Sequence, residues 1–371
     1  MTKKLDKITS IALSRINDTL LITGNLAKNR GLLHGQIGAS IFLYHYDHIY
    51  EDDLSYNKAN EILLNVSQNL ESVSNQQYSC GLSGIGVALM YLAENNFIED
   101  VKSMVQIDAL LINSVTDQID YENIGTIYYF IQRLQQWQTS TNNTNIDELS
   151  ILILKNTIIR FFNAATKMAS DIAISIKNTP TLANLNSLLA ELLIIQRVIH
   201  LTILSRDYFK GICEVFLEQV AKLDTGLSVL LANRRLGAEE FSEDSRIKVL
   251  CALSSYYNSY RLTKLKTQVQ RRLRKLKEIC DLNSLVINQS FRLRTLDSIL
   301  SLCDSEDAEI ASYANQQLMA LSKHITGKDF QVNSLSVGIA GLAGLGLSMI
   351  SRCSDISWSS LLTYKKNSGN G

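Results

Sequence analysis

Proline is nearly missing from this chain: Pro180 stands alone among 371 residues. Proline is the residue that most strongly interrupts a helix, so its scarcity leaves room for many uninterrupted ones. Cysteine is sparse and without pattern. Cys80, Cys213, Cys251, Cys280, Cys303 and Cys353 are scattered, with no CxxC pair and no short regular spacing. That argues against a disulfide framework and fits a reducing cytoplasm. An excess of one charge is also lacking. The 36 basic side chains balance 36 acidic ones, so charge gives no reason to expect nucleic acid or an anionic membrane as partner. No GKS or GKT is present, which excludes a phosphate loop, and no GxGxxG follows a strand-like run, which excludes a dinucleotide fingerprint. The opening "MTKKLDKITSIALSRI" is broken by Asp6, Ser10, Ser14 and Arg15 and does not read as a secretory signal. The longest apolar run, 335–350, falls short of a bilayer span, so no stable membrane insertion is expected.

What is present is helical periodicity in a chain that is 46% hydrophobic. "ANEILLNVSQNLESV" puts Ile62, Leu63, Val66 and Leu70 on one face, and "RLTKLKTQVQRRLRKLKEI" repeats Leu262, Leu265, Val269, Leu273, Leu276 and Ile279 at steps of three and four. The cations of the second segment fall outside its apolar stripe, which reads as a solvated outer face. "LSILILKNTIIRFF" and "NSLLAELLIIQRVIHLTIL" are apolar nearly all round, the pattern of helices buried on most sides. Alternating strand patterns are hard to find. The breaks are short and polar ("STNNTNID", "KNTP", "SED", "HITGKD"), and none marks a change of composition. The expectation is a single all-α domain over residues 1–371, with amphipathic helices backing more apolar, small-residue-rich ones.

Three of the most apolar segments begin with paired glycines: "HGQIGASIFLY", "CGLSGIGVALMYL" and "GIAGLAGLGLSMI". Gly35 and Gly38, Gly81 and Gly84, and Gly338 and Gly341 are each three residues apart and share a helix face. A glycine inside a helix costs about 1 kcal/mol against alanine, so the pairs need a compensating use. Bare strips let another backbone approach, and first-turn N–H groups favour anions or polar ligands. Helix starts crowded at one mouth would use both properties.

These repeats resemble those of the lanthionine synthetase C-like family, the lanthipeptide cyclases, over the first ~100 and last ~40 residues. The resemblance implies an α/α toroid, two concentric layers of about six or seven helical hairpins. It also implies a zinc site at the mouth, held by a cysteine in WCYG and by the cysteine and histidine of CHG, where zinc makes a substrate thiolate that closes a thioether ring. The family pattern fails here at each of these places. "SRIKVLCA" puts Leu250 at the first ligand position, with Cys251 one residue late, and "SLVIN" puts Val286 and Ile287 at the other two. "LANL" puts Asn184 where the family carries a histidine suited to proton transfer. Hydrocarbon side chains do not bind zinc. The resemblance therefore implies a zinc-free, catalytically degenerate relative, with no catalytic and no metal residues. It would be an accessory in ribosomal peptide modification, with a precursor peptide and peptide-modifying enzymes as partners.

The candidate mouth residues are His34, Gly35, Gly38, Cys80, Gly81, Gly84, Asn184, Gly338 and Gly341. Two rivals stay open. One is an active thioether cyclase with a rearranged site using His34, Cys80 or Cys251, with zinc as its cofactor. The plainer alternative for those side chains is that Cys80 is a small buried hydrophobe and His34 caps a helix start. The second rival is a helical scaffold or interaction protein, or an α/α toroid of the carbohydrate-processing type. The last wants paired carboxylates at the mouth, where this sequence offers Asn184, Cys80 and Val337. His45 and His48, beside Asp47, read as a solvated helix end, and Trp358 as a closing structural contact.

Overall fold

The computed structural model describes residues 7–73, 75–99, 102–111, 119–139, 148–178, 182–232, 299–300, 307–327 and 336–363, the last without 353, 355, 357 and 359. Every regular element among them is a helix. They are α1 (Lys7–Thr23), α2 (Gln36–Tyr50), α3 (Asp53–Gln68), α4 (Leu82–Glu94), α5 (Lys102–Leu111) and α6 (Tyr121–Thr139). Then come α7 (Glu148–Asn178), α8 (Leu182–Ala232), α9 (Ala308–Ile325), α10 (Leu342–Ile350) and the short α11 (Ser360–Thr363). Helix α8 breaks at Phe209, whose φ of −132° and ψ of 35° leave the helical region. No described helix is long and apolar enough to cross a membrane.

The helices sort into two kinds by what they bury. In α2, α4 and α10 every residue is buried from the first position for several turns: Gln36 to His45, Leu82 to Leu92, and Leu342 to Ile350. These sequences are apolar all round, and they are enclosed all round. Helices α1, α3 and α9 bury one stripe. In α3 it is Ser55, Ala59, Ile62, Leu63 and Val66, and Leu70 in the following turn continues it, as the periodicity expects. Each buried leucine or isoleucine of this kind contributes about 1.5–3 kcal/mol.

Packing places α10, α2 and α4 side by side and continues the row through α6 to α8, with α3 behind α2, α5 behind α4 and α7 behind α8. Helix α1 packs on α2, α3, α9 and α10. It also ties late to early chain, since the Arg15 guanidinium donates to the carbonyls of Ile325 (2.8 Å) and Gly327 (3.0 Å). The last described helices, α9 and α10, thus lie against the first two.

One expectation needs correcting. The apolar start of α7 reads as buried on most sides, yet Leu149 and Leu152 are 64% and 54% exposed. The buried stripe is Leu154, Ile158, Phe161, Phe162 and Ala165. Helix α7 backs α8, and a backing helix shows one side to its neighbour whatever its composition.

Candidate functional site at the glycine loops

The loops before α2, α4 and α10 share one construction. Each curls back so that its own carbonyls take the first N–H groups of the helix it precedes. Gln36 N donates to Asn29 O (2.9 Å) and Ile37 N to Arg30 O (3.3 Å). Leu82 N donates to Asn75 O (2.9 Å) and Ser83 N to Gln76 O (3.4 Å). Leu342 N donates to Ser336 O (2.9 Å) and Ala343 N to Val337 O (3.3 Å). Helix α9, by contrast, starts in the ordinary way, with the Asp307 carboxylate accepting from Glu309 N and Ile310 N at 3.2 Å each. The first two N–H groups of each glycine-started helix are thus taken by its own loop and are not presented to a ligand.

The glycines make that curl possible by having no Cβ. Among the described residues no glycine has a positive φ, so left-handed backbone is not their use. A Cβ on Gly35 would overlap Asn29 O, one on Gly81 would overlap Asn75 O, and one on Gly341 would overlap Ser336 O. This corrects the register of the last repeat. Gly341 and Gly344 match Gly35 and Gly38, and Gly81 and Gly84, while Gly338 lies one step earlier, in the loop. Asparagine helps set two of the loops. The Asn29 side chain accepts from Gly31 N (2.7 Å) and that of Asn75 from Gln77 N (2.9 Å), each six residues ahead of its capping glycine.

The three loops also meet one another. Leu33 N donates to Ser79 O (2.9 Å), Ile339 N to Leu32 O (3.1 Å) and Ala340 N to Leu33 O (2.8 Å). A Cβ on Gly338 would stand 2.7 Å from Gly35 N, and one on Gly38 would stand 2.9 Å from Gly338 Cα. Gly31 lies against the backbone of Cys80 in the same way. Backbones this close admit no side chain between them. The three loops thus meet at one junction.

A fourth helix start joins it, and the sequence reading missed it. In α6, Gly125 takes the place of Gly38 and Gly84, and the start of the helix is capped by Asp120, whose carboxylate accepts from Asn123 N (2.8 Å), with Glu122 in the first turn. The Glu122 carboxylate accepts from Ser79 N (2.9 Å) and Ser79 Oγ (2.5 Å) in the loop before α4. Tyr78 lays its ring against Gly125, and Thr126 Oγ1 bonds Ser83 Oγ at 3.1 Å. One further match supports the equivalence. Tyr129 of α6 fills the notch at Gly86 of α4, as Phe42 of α2 fills the notch at Gly346 of α10. The available signal was a single glycine, without the pair that marks the other starts.

At the junction's surface His34 is exposed, with Nδ1 3.5 Å from Ser336 Oγ. Cys80 is half-buried; its sulfur accepts from Asn75 Nδ2 (2.8 Å) and faces Gln77 Oε1 at 3.4 Å. The two side chains thus sit on loops joined by the Leu33–Ser79 bond but have separate partners. Among the described residues no group of three or more His, Cys, Asp or Glu could hold a metal ion. Asn184 lies in α8 with its side chain outside the described set; Leu250, Cys251, Val286, Ile287 and the basic segment 262–279 lie outside the described residues altogether.

His45 departs from its expectation. It is buried between α2 and α4, with Nε2 2.8 Å from Tyr91 Oη and the Phe97 ring edge-on at 4.9 Å, while Nδ1 is buried without a partner. Burial, helped by the charge of His48, lowers its pKa to about 3, so the ring is neutral. Nε2 carrying the proton toward Tyr91 leaves Nδ1 as a bare lone pair, less costly to bury than an unbonded N–H. His48 is exposed on the same helix, as a solvated end requires.

The chain matches no family model, no curated protein and no solved structure.

Proposed function

We propose that this chain is a lanthionine synthetase C-like α/α toroid without the family's zinc site, acting as a peptide-binding accessory in ribosomal peptide modification. The observation that carries the reading is the hydrogen-bonded contact between the loop of the first glycine repeat and that of the last, Ile339 N to Leu32 O and Ala340 N to Leu33 O. A ring of hairpins requires its last repeat to lie beside its first, and an open helical array does not. The apolar residues at all three ligand positions, Leu250, Val286 and Ile287, support the loss of the metal. Peptide and partner enzymes follow from the resemblance, and a cytoplasmic place from the scattered cysteines.

Metal analysis of the purified chain tests the reading, with less than a tenth of an equivalent of zinc expected. Zinc retained one-to-one through dialysis contradicts it. A cysteine-bearing peptide with dehydrated serines is then expected to bind and to keep its free thiols.

One observation favours the rearranged-cyclase alternative: residues 33 and 79, bonded to each other, are the immediate neighbours of His34 and Cys80. Loss of free thiols from the same peptide at unchanged mass, abolished by Cys80→Ser or His34→Gln, selects that alternative.

A further inference from the structure

We draw no further inference here: the strongest candidate, the surface patch at the α2–α3 corner where the Tyr46 and Tyr50 ring centres lie 4.6 Å apart beside Asp18 and Asp52, carries none, because the Asp52 carboxylate is taken up by Ser55 of α3 and Asn17 of α1 and nothing in the structure shows what covers the rings.

Discussion

Two junctions in this molecule hold helices together by opposite means. Where α2, α4 and α10 begin, main chain meets main chain, and the contacts exist because side chains are missing. Where α5 meets α6, side chains do the joining. Arg133 grips Asp108 through Nε (3.0 Å to each oxygen) and Nη2 (2.6 Å), Tyr129 Oη adds a bond of 2.6 Å to the same carboxylate, and the guanidinium lies 5.2 Å from the Trp137 ring centre. The first junction cannot accept an added methyl. The second cannot lose a charge. The difference separates stability that comes from absence from stability that comes from chemistry, and each can be broken by its own substitution.

The largest effect is expected at the first. Gly38→Val puts its Cβ against Leu32 O, 2.8 Å from Ile339 N and 2.9 Å from Gly338 Cα. All three are backbone atoms that cannot rotate away. A loss of about 3 kcal/mol or more is expected, read as the shift in the urea midpoint at unchanged slope. A neutral outcome would mean that the loops of the first and last repeats do not touch.

At the second junction Arg133 and Asp108 have side chains only 5% and 15% exposed. Arg133→Ala leaves the carboxylate half-buried with Tyr129 as its remaining donor and is expected to cost about 3 kcal/mol. Asp108→Leu together with Arg133→Met is expected to cost much less than either single change, because neither charge is then stranded. Additive losses in that cycle would show that the pair does not act as a unit.

How far the sequence announces each junction follows from the same contrast. Glycines at three-residue spacing ahead of an apolar run are legible, because nothing else makes that pattern worth its helical cost. Gly35, Gly38, Gly81 and Gly84 are therefore readable directly. The repeat at Gly338, Gly341 and Gly344 offers two equally spaced pairs, so its frame is ambiguous until the loop carbonyls choose. Glu122 is illegible: a glutamate at a helix start looks like an ordinary acidic first turn, and its partner Ser79 lies 43 residues away. The Arg133–Asp108 pair is hidden for the same reason, with 25 residues between the partners. The burial of His45 is hidden because two histidines beside Asp47 read as a solvated helix end, whereas Tyr91 and Phe97, about 50 residues on in the chain, cover the first of them.

Between these extremes lies His45, buried by its neighbours yet titratable. Its pKa of about 3 in the folded chain lies below the ordinary 6.5. Across that interval the unfolded chain takes up a proton that the folded chain refuses. Stability therefore falls as pH drops below 6.5, by about 1.4 kcal/mol per pH unit, or roughly 2.7 kcal/mol by pH 4.5. Asp47 works the other way. Its own burial first, and then Asp53 and Asp52, hold its carboxyl above the usual range, a contribution present at low pH and lost as pH rises. The informative measurement is thus the difference between the unaltered chain and His45→Gln, melted at pH 7 and at pH 4.5. The gap between their melting temperatures is expected to shift in the variant's favour at the lower pH, and an unchanged gap would place His45 in solvent.

The smallest effect sharpens the comparison from the opposite direction. Gly211 sits in α8 with nothing within 4 Å of the position a Cβ would take. It is a glycine with no neighbouring backbone to accommodate, so the ordinary helical penalty applies without compensation. Gly211→Ala is expected to stabilise the chain by about 0.5–1 kcal/mol, through the entropy the unfolded backbone no longer has to lose. The same alanine at Gly38 is expected to destabilise. Opposite signs for one substitution at two helical glycines would show that contact with a neighbouring backbone, rather than any property of glycine in helices, is what the paired positions supply. Equal signs would remove the physical basis for treating those positions as a junction.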